Sequence, residues 1–123
     1  NILAETNSFD LIICYHVLEH IEQDHKAMKE LKRVLKPERK MLIQTPYKEG
    51  ETYEDLNITT KEDRKVHFGQ EDHVRIYSKK DLKKRLEFSG FNVSQLNFIY
   101  QDYDGYYGFK SPETVFECSI TNK

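Results

Sequence analysis

Residues 9–47 read FDLIICYHVLEHIEQDHKAMKELKRVLKPERKMLIQTPY, and the hydrophobic pattern of this stretch decides the fold. Leu11, Ile12, Ile13 and Cys14 form a continuous apolar run. A strand with one wet face alternates apolar and polar residues, so an unbroken run predicts a strand buried on both faces, as in a parallel sheet. Tyr15 and His16 then turn the chain polar. Asp24 is the predicted N-cap of a helix in which Ala27, Met28, Leu31, Val34 and Leu35 recur at helical spacing. Lys32, Arg33 and Lys36 crowd its last turn, where cations suit the helix dipole, and Pro37 stops it. Met41, Leu42 and Ile43 make a second buried strand, ended by Thr45-Pro46. Strand, helix and strand with short links predict a right-handed βαβ crossover.

Composition bounds the alternatives. The 123 residues fit one domain, large enough for a real core. A third of the chain is charged, yet the net charge is only −2, so there is no basic field of the kind that holds nucleic acid. No transmembrane run or secretory signal is present. Cys14 and Cys118 both fall in predicted strands and read as reduced packing residues. Together these features place the chain in the cytoplasm, away from membranes. The first residue is Asn1, which suggests a segment of a longer protein.

Beyond Pro46 the chain changes character. Residues 48–77 form a long polar insertion, with apolar positions scattered at Tyr53, Leu56, Ile58, Val66, Phe68 and Val74. A connector of this length is usually a binding loop or lid, or partly disordered; a short helix is expected near 60–65. Ser78 with Asp81 three residues later is a capping-box pattern. Leu82 and Leu86 supply the apolar stripe of the helix that follows, and Gly90 suits its C′ position. Residues 91–101 read as a strand in which Leu96, Phe98 and Tyr100 alternate. A loop rich in Tyr and Gly follows, and residues 113–120 make a last strand with Phe116, Cys118 and Ile120 on one face. Two strands in succession without a helix between them should pair antiparallel.

The blocks FDLIICYHVLEHI, ELKRVLKP, MLIQTP and DHVRIYSKKDLKKRLEFSGF are each similar, in this order and spacing, to the class I S-adenosylmethionine-dependent methyltransferases. The resemblance covers nearly the whole chain and implies a partial Rossmann-like α/β sheet of strand order 4-5-7-6, with the last strand antiparallel between its neighbours and helices flanking it. It places the chain in the C-terminal half of that fold. The family's glycine-rich cofactor turn and ribose-binding acid have no counterpart here: the glycines stand at 50, 69, 90, 105 and 108, and no GxGxG occurs. The family's Pro-Gly-Gly after the helix is also altered, to Pro37-Glu38-Arg39.

By resemblance, Cys14, Tyr15 and His16, where the first strand ends, border the methionine end and sulfonium of the cofactor. Ligands in open α/β sheets also sit outside the carboxyl ends of strands. The run His16-Val17-Leu18-Glu19-His20 matches, as a bare pattern, the H-x-x-E-H of inverted zinc proteases. Its position at a strand end, the short chain and the flanking blocks all speak against a protease. Some O-methyltransferases carry E-x-x-E-H at this place and bind a divalent metal there, and the small-RNA enzymes among them add a later His. Here Glu19 and His20 match, His16 replaces the first acid, and His73 stands where the later His would. Glu19, His20 and His73 are therefore the candidate metal ligands, for Mg, Mn or Zn, with nitrogen donors favouring the transition ions. Glu19 and His20 are the candidate catalytic pair, His20 as general base for a hydroxyl acceptor. His25 and His67 read as solvent residues. Tyr103, Tyr106, Tyr107 and Phe109 either stack on an acceptor or pack against the sheet.

Two functions follow. One is methyl transfer from S-adenosylmethionine to an unidentified acceptor, the isolated chain being inactive without the other half of the fold. The other is a non-catalytic, methyltransferase-like interaction module. In either case the edge of the first strand, which lacks its neighbour, is expected to pair with the N-terminal half or with a second copy as a homodimer.

Overall fold

A computed structural model describes residues 2–98 and 113–121. Strand β1 (Phe9–Tyr15) leads through a 3-10 turn at Leu18–His20 to helix α1 (Asp24–Val34) and strand β2 (Leu35–Gln44). Strand β5 (Asn92–Phe98) and strand β6 (Glu113–Ser119) complete a four-stranded sheet of order β1-β2-β6-β5. β1 and β2 are parallel, while β6 runs antiparallel to both β2 and β5. This is the 4-5-7-6 arrangement that the resemblance implies.

Register explains the core. Ile12 stands beside Met41, Met41 beside Cys118, and Cys118 beside Val93. One row on, Cys14, Ile43 and Phe116 align. Side chains two apart along a strand share a face, so these rows form one apolar surface. Helix α3 (Lys79–Phe88) supplies Leu82 and Leu86 to it, and α1 supplies Met28. The two helices lie side by side: Ser89 at the end of α3 donates to the sulfur of Met28.

The opposite face of β1 departs from the expectation of two-sided burial. Leu11 and Ile13 are 54% and 61% exposed, and Phe9 and Tyr15 are exposed beside them. α1 and α3 pack against one face, and among the described residues nothing covers these side chains. The continuous apolar run therefore records a surface made for two layers, of which this chain supplies one.

Several local details also differ from the sequence reading. The N-cap of α1 is Gln23, not Asp24. The Asp24 carboxylate instead turns inward, where it accepts from the Tyr77 hydroxyl at 2.6 Å and from Arg85 at 2.6 Å. α1 stops at Val34, so Leu35 and Lys36 already belong to β2. The capping box at α3 is half formed. Ser78 accepts from the Asp81 amide, but its own amide donates to Thr52 and the Asp81 carboxylate binds Arg85.

The long polar insertion is structured. It holds the short parallel pair β3 (Tyr47–Lys48) and β4 (Tyr77–Ser78), and helix α2 (Lys61–Phe68), capped by Thr60 and ended by Gly69. Phe68 is buried against Tyr53, and Tyr53 bridges to Ile76. Glu54 binds both Arg75 and Arg85. A few such anchors hold a segment whose composition looks loop-like.

The altered Pro37-Glu38-Arg39 turn keeps the glycine geometry without the glycine. Glu38 has φ +62° and donates its amide to the Ile120 carbonyl at 2.7 Å. Residues 36–39 bulge out opposite Asp10, whose carboxylate takes both Lys36 and Arg39. A left-handed residue with a side chain costs about 1 kcal/mol. Glu38→Gly should therefore stabilise the fold by about 0.5 kcal/mol after the added freedom of the unfolded chain is deducted, read as a raised urea midpoint at unchanged slope. A lowered midpoint would show that the Glu38 side chain holds this turn.

Candidate functional site

β1 leads the chain to its carboxyl end, where His16 breaks out of the extended conformation. Its amide still continues the parallel ladder to the Gln44 carbonyl at 2.8 Å, but its φ is +57°. Strained, left-handed residues of this kind cluster at functional sites. The chain then coils into the 3-10 turn that carries Glu19 and His20.

The segment ahead of β4 closes on this turn. The Val74 amide donates to the Glu19 carbonyl at 2.8 Å. His20 Nδ1 lies 3.2 Å from the Asp72 carbonyl and 3.4 Å from its carboxylate. The rings of His20 and His73 meet edge to face at 4.6 Å. Glu19, His20 and His73, far apart in the chain, thus bring one ligand atom each within 4.8 Å of one another. His16 Nδ1 stands 3.6 Å from Glu19 Oε2, too long for a hydrogen bond.

The chemistry of this cluster follows from its partners. Glu19 is 1% exposed, and neither carboxylate oxygen has a hydrogen-bond partner. A buried carboxylate left so is costly unless a cation or proton joins it. A carbonyl partner requires the proton on His20 Nδ1, which leaves the Nε2 lone pair free. Metal-bound imidazoles are oriented by this kind of outer contact. Burial, and after it the neighbouring His20 ring, hold the His73 imidazole below its ordinary pKa, so it too offers a lone pair near neutrality. The cluster fits a divalent cation.

The residues resembling the cofactor-bordering positions face three different ways. Cys14 points into the core and lines an apolar groove of about 400 Å³ with Leu18, Ile21, Ala27 and Leu31. Burial, with the Glu19 charge adding to it, pushes its thiol up to about 11. Tyr15 lies on the bare face. His16 lines a cavity of about 690 Å³ outside the strand ends, with Thr45, Tyr47, Lys79 and Thr114. Cys118 is buried and free like Cys14. His67, which the sequence reading leaves to solvent, is exposed but engaged by the Tyr53 hydroxyl at 2.7 Å. Tyr103, Tyr106, Tyr107 and Phe109 lie outside the described residues.

Sequence reasoning missed Arg75. It is 1% exposed and donates to the carbonyls of Leu18, Ile21 and Glu22, at 2.7, 2.5 and 2.8 Å. The one signal available was an arginine flanked by apolar Val74 and Ile76, two residues after His73.

Comparisons with known proteins agree on the family. A methyltransferase domain family matches residues 1–96. An uncharacterized protein, MJ0638, of Methanocaldococcus jannaschii is 28% identical over 94 residues, which make up 76% of this chain and 35% of that protein. The chain thus spans about a third of that relative's length. Two solved structures share the fold. One is a Thermotoga maritima S-adenosylmethionine-dependent methyltransferase, described as a possible histamine N-methyltransferase. It has a TM-score of 0.65 at 17% identity, over 99% of this chain and 60% of that one. The other is the Burkholderia thailandensis 1,6-didemethyltoxoflavin-N1-methyltransferase, with its substrate and S-adenosylhomocysteine bound. Its TM-score is 0.63 at 11% identity, over 98% of this chain and 47% of that one. With the 4-5-7-6 sheet and the family match over most of its length, the chain belongs to the class I S-adenosylmethionine-dependent methyltransferases.

Proposed function

We propose that this chain forms the acceptor side of a methyltransferase that acts on a hydroxyl group. The observation that carries this reading is the buried, unpartnered Glu19 carboxylate beside two imidazoles at the end of β1. S-adenosylmethionine, when bound, supplies an electrophilic methyl group. Cys14, Tyr15 and His16, where β1 ends, are the residues that would border it. With no ion on the cluster, His20 Nε2 takes the acceptor hydroxyl proton; this role and metal binding through the same lone pair are alternatives. Glu19 balances the charge that then appears on the ring. The cavity beside His16 receives the acceptor, with Tyr47 and Lys79 on its wall.

Glu19, His20 and His73 are the residues that would hold a divalent metal. Two nitrogens and one carboxylate suit zinc, cobalt or manganese better than magnesium, which prefers oxygen donors. Such an ion would orient the acceptor oxygen. Cobalt(II) should bind at one equivalent per chain and give a visible absorption band, and His73→Ala and Glu19→Gln should each weaken it at least tenfold, or about 1.4 kcal/mol. Equal binding by wild type and both variants would remove the metal from the reading.

The cofactor is held mainly by groups this sequence does not contain, since no GxGxG turn occurs in it. Titration calorimetry of the 123-residue chain with S-adenosylmethionine should show no binding in the micromolar range. Micromolar binding would mean that the cofactor sits somewhere other than against β1.

The free edge of β1 is the proposed site of strand pairing, with the N-terminal half of the fold or with a second copy. β1 is the end strand of the sheet, so its outer edge has no partner strand among the described residues, and an unpaired apolar edge is a template for another strand. Among the described residues no helix is long and apolar enough to cross a membrane, and the two free cysteines suit a cytoplasmic setting. Light scattering should find the chain dimeric at high concentration, and Ile13→Lys should shift it to monomer. A wild-type monomer throughout would contradict self-pairing.

A further inference from the structure

From the buried bonds of Arg75 we infer that it is the positioning residue of the Glu19–His20 turn. The inference rests on the reading of Glu19, His20 and His73 as the working group of side chains.

The 3-10 turn has little of its own to hold it. Within it, His20 N donates to Val17 O at 3.0 Å and Ile21 N to Leu18 O at 3.2 Å, and Val17 makes no side-chain cap. The carbonyls of Leu18, Ile21 and Glu22 converge on one donor group. The Arg75 guanidinium is that group. Nη1 reaches Leu18 and Ile21, Nη2 reaches Glu22, and Nε is turned outward to Glu54 at 2.7 Å. A planar fork with five donors can satisfy this set at once, whereas an ammonium cannot.

The same residue fixes the other side of the site. Val74, adjacent to Arg75, bonds the Glu19 carbonyl, and His73 follows directly before it. Anchoring Arg75 therefore sets the distance between the turn that carries Glu19 and His20 and the segment that carries His73. The Arg75 side chain bonds to none of these three side chains; it acts through the backbone of both segments.

The test uses nuclear magnetic resonance on the whole chain. Wild type should show a nuclear Overhauser contact between the His20 and His73 rings. Its Ile21 and Val74 amides should be protected from exchange. In Arg75→Met the ring contact should vanish and both amides should exchange more than tenfold faster, while Ile43 and Phe116 in the interior strands of the sheet stay protected. Arg75→Lys should restore part of the protection, because one ammonium reaches fewer carbonyls. An unchanged ring contact and unchanged exchange in Arg75→Met would overturn the inference. If Arg75→Met does not fold, Glu54→Gln decides: it loosens the guanidinium from outside and should speed exchange at Ile21 and Val74, and no change there would equally overturn it. These readouts are independent of cobalt binding, so a wild type that binds no metal would defeat the metal reading and leave this one standing.

Discussion

A buried ionic cluster organises the molecule. The Asp24 carboxylate meets Arg85 and Tyr77 at 2.6 Å each, with Arg75 at 3.9 Å, and Glu54 bridges the two arginines from outside. These groups come from the start of α1, from α3, from the segment ahead of β4 and from the insertion. Burial pushes the Asp24 carboxyl up, but hydrogen bonds from Tyr77 and Arg85 together with the charges of Arg75 and Arg85 outweigh it and hold the carboxyl below its usual range. Desolvating so many charges consumes most of the attraction between them, so the cluster adds little net stability while removing one partner is costly. In the packing of α1, α3 and the insertion each of these groups has a partner, and the same packing sets His73 against His20.

The functional cluster depends on this frame more than on its own contacts. Glu19 makes no side-chain hydrogen bond, and His20 is engaged on one nitrogen only. One ligand atom from each of Glu19, His20 and His73 lies within 4.8 Å of the others, and the proposed site rests on that arrangement. The family supplies the chemistry, and the fold alone does not choose the acceptor. The hydroxyl reading comes from this cluster.

Much of this was legible in the sequence. The β1–α1–β2 unit follows from apolar periodicity, because burial dictates those positions one by one. The antiparallel β5–β6 pair follows from two strand patterns in succession with no helical periodicity between them. The convergence of His73 with His20 came from block order in the family resemblance, and no periodicity contains it. The insertion misled because its anchors are few and polar: Glu54 and Arg75 look like surface residues until their partners are known. Asp24 misled in the same way. An acid before a helix reads as a cap, and only the buried Tyr77 and Arg85 draw it inward. The run Leu11–Cys14 reads as doubly buried because its composition belongs to a two-layered sheet, and the chain itself covers one layer.

The central claim is that this chain by itself assembles a site from Glu19, His20 and His73. Anomalous diffraction from crystals of the chain soaked in zinc or manganese tests it most directly. The account predicts one strong peak within about 2.0–2.2 Å of an oxygen of Glu19 and a ring nitrogen of both His20 and His73. Full occupancy elsewhere, or a Glu19 carboxylate bonded to protein donors with His73 turned away from His20, would contradict it.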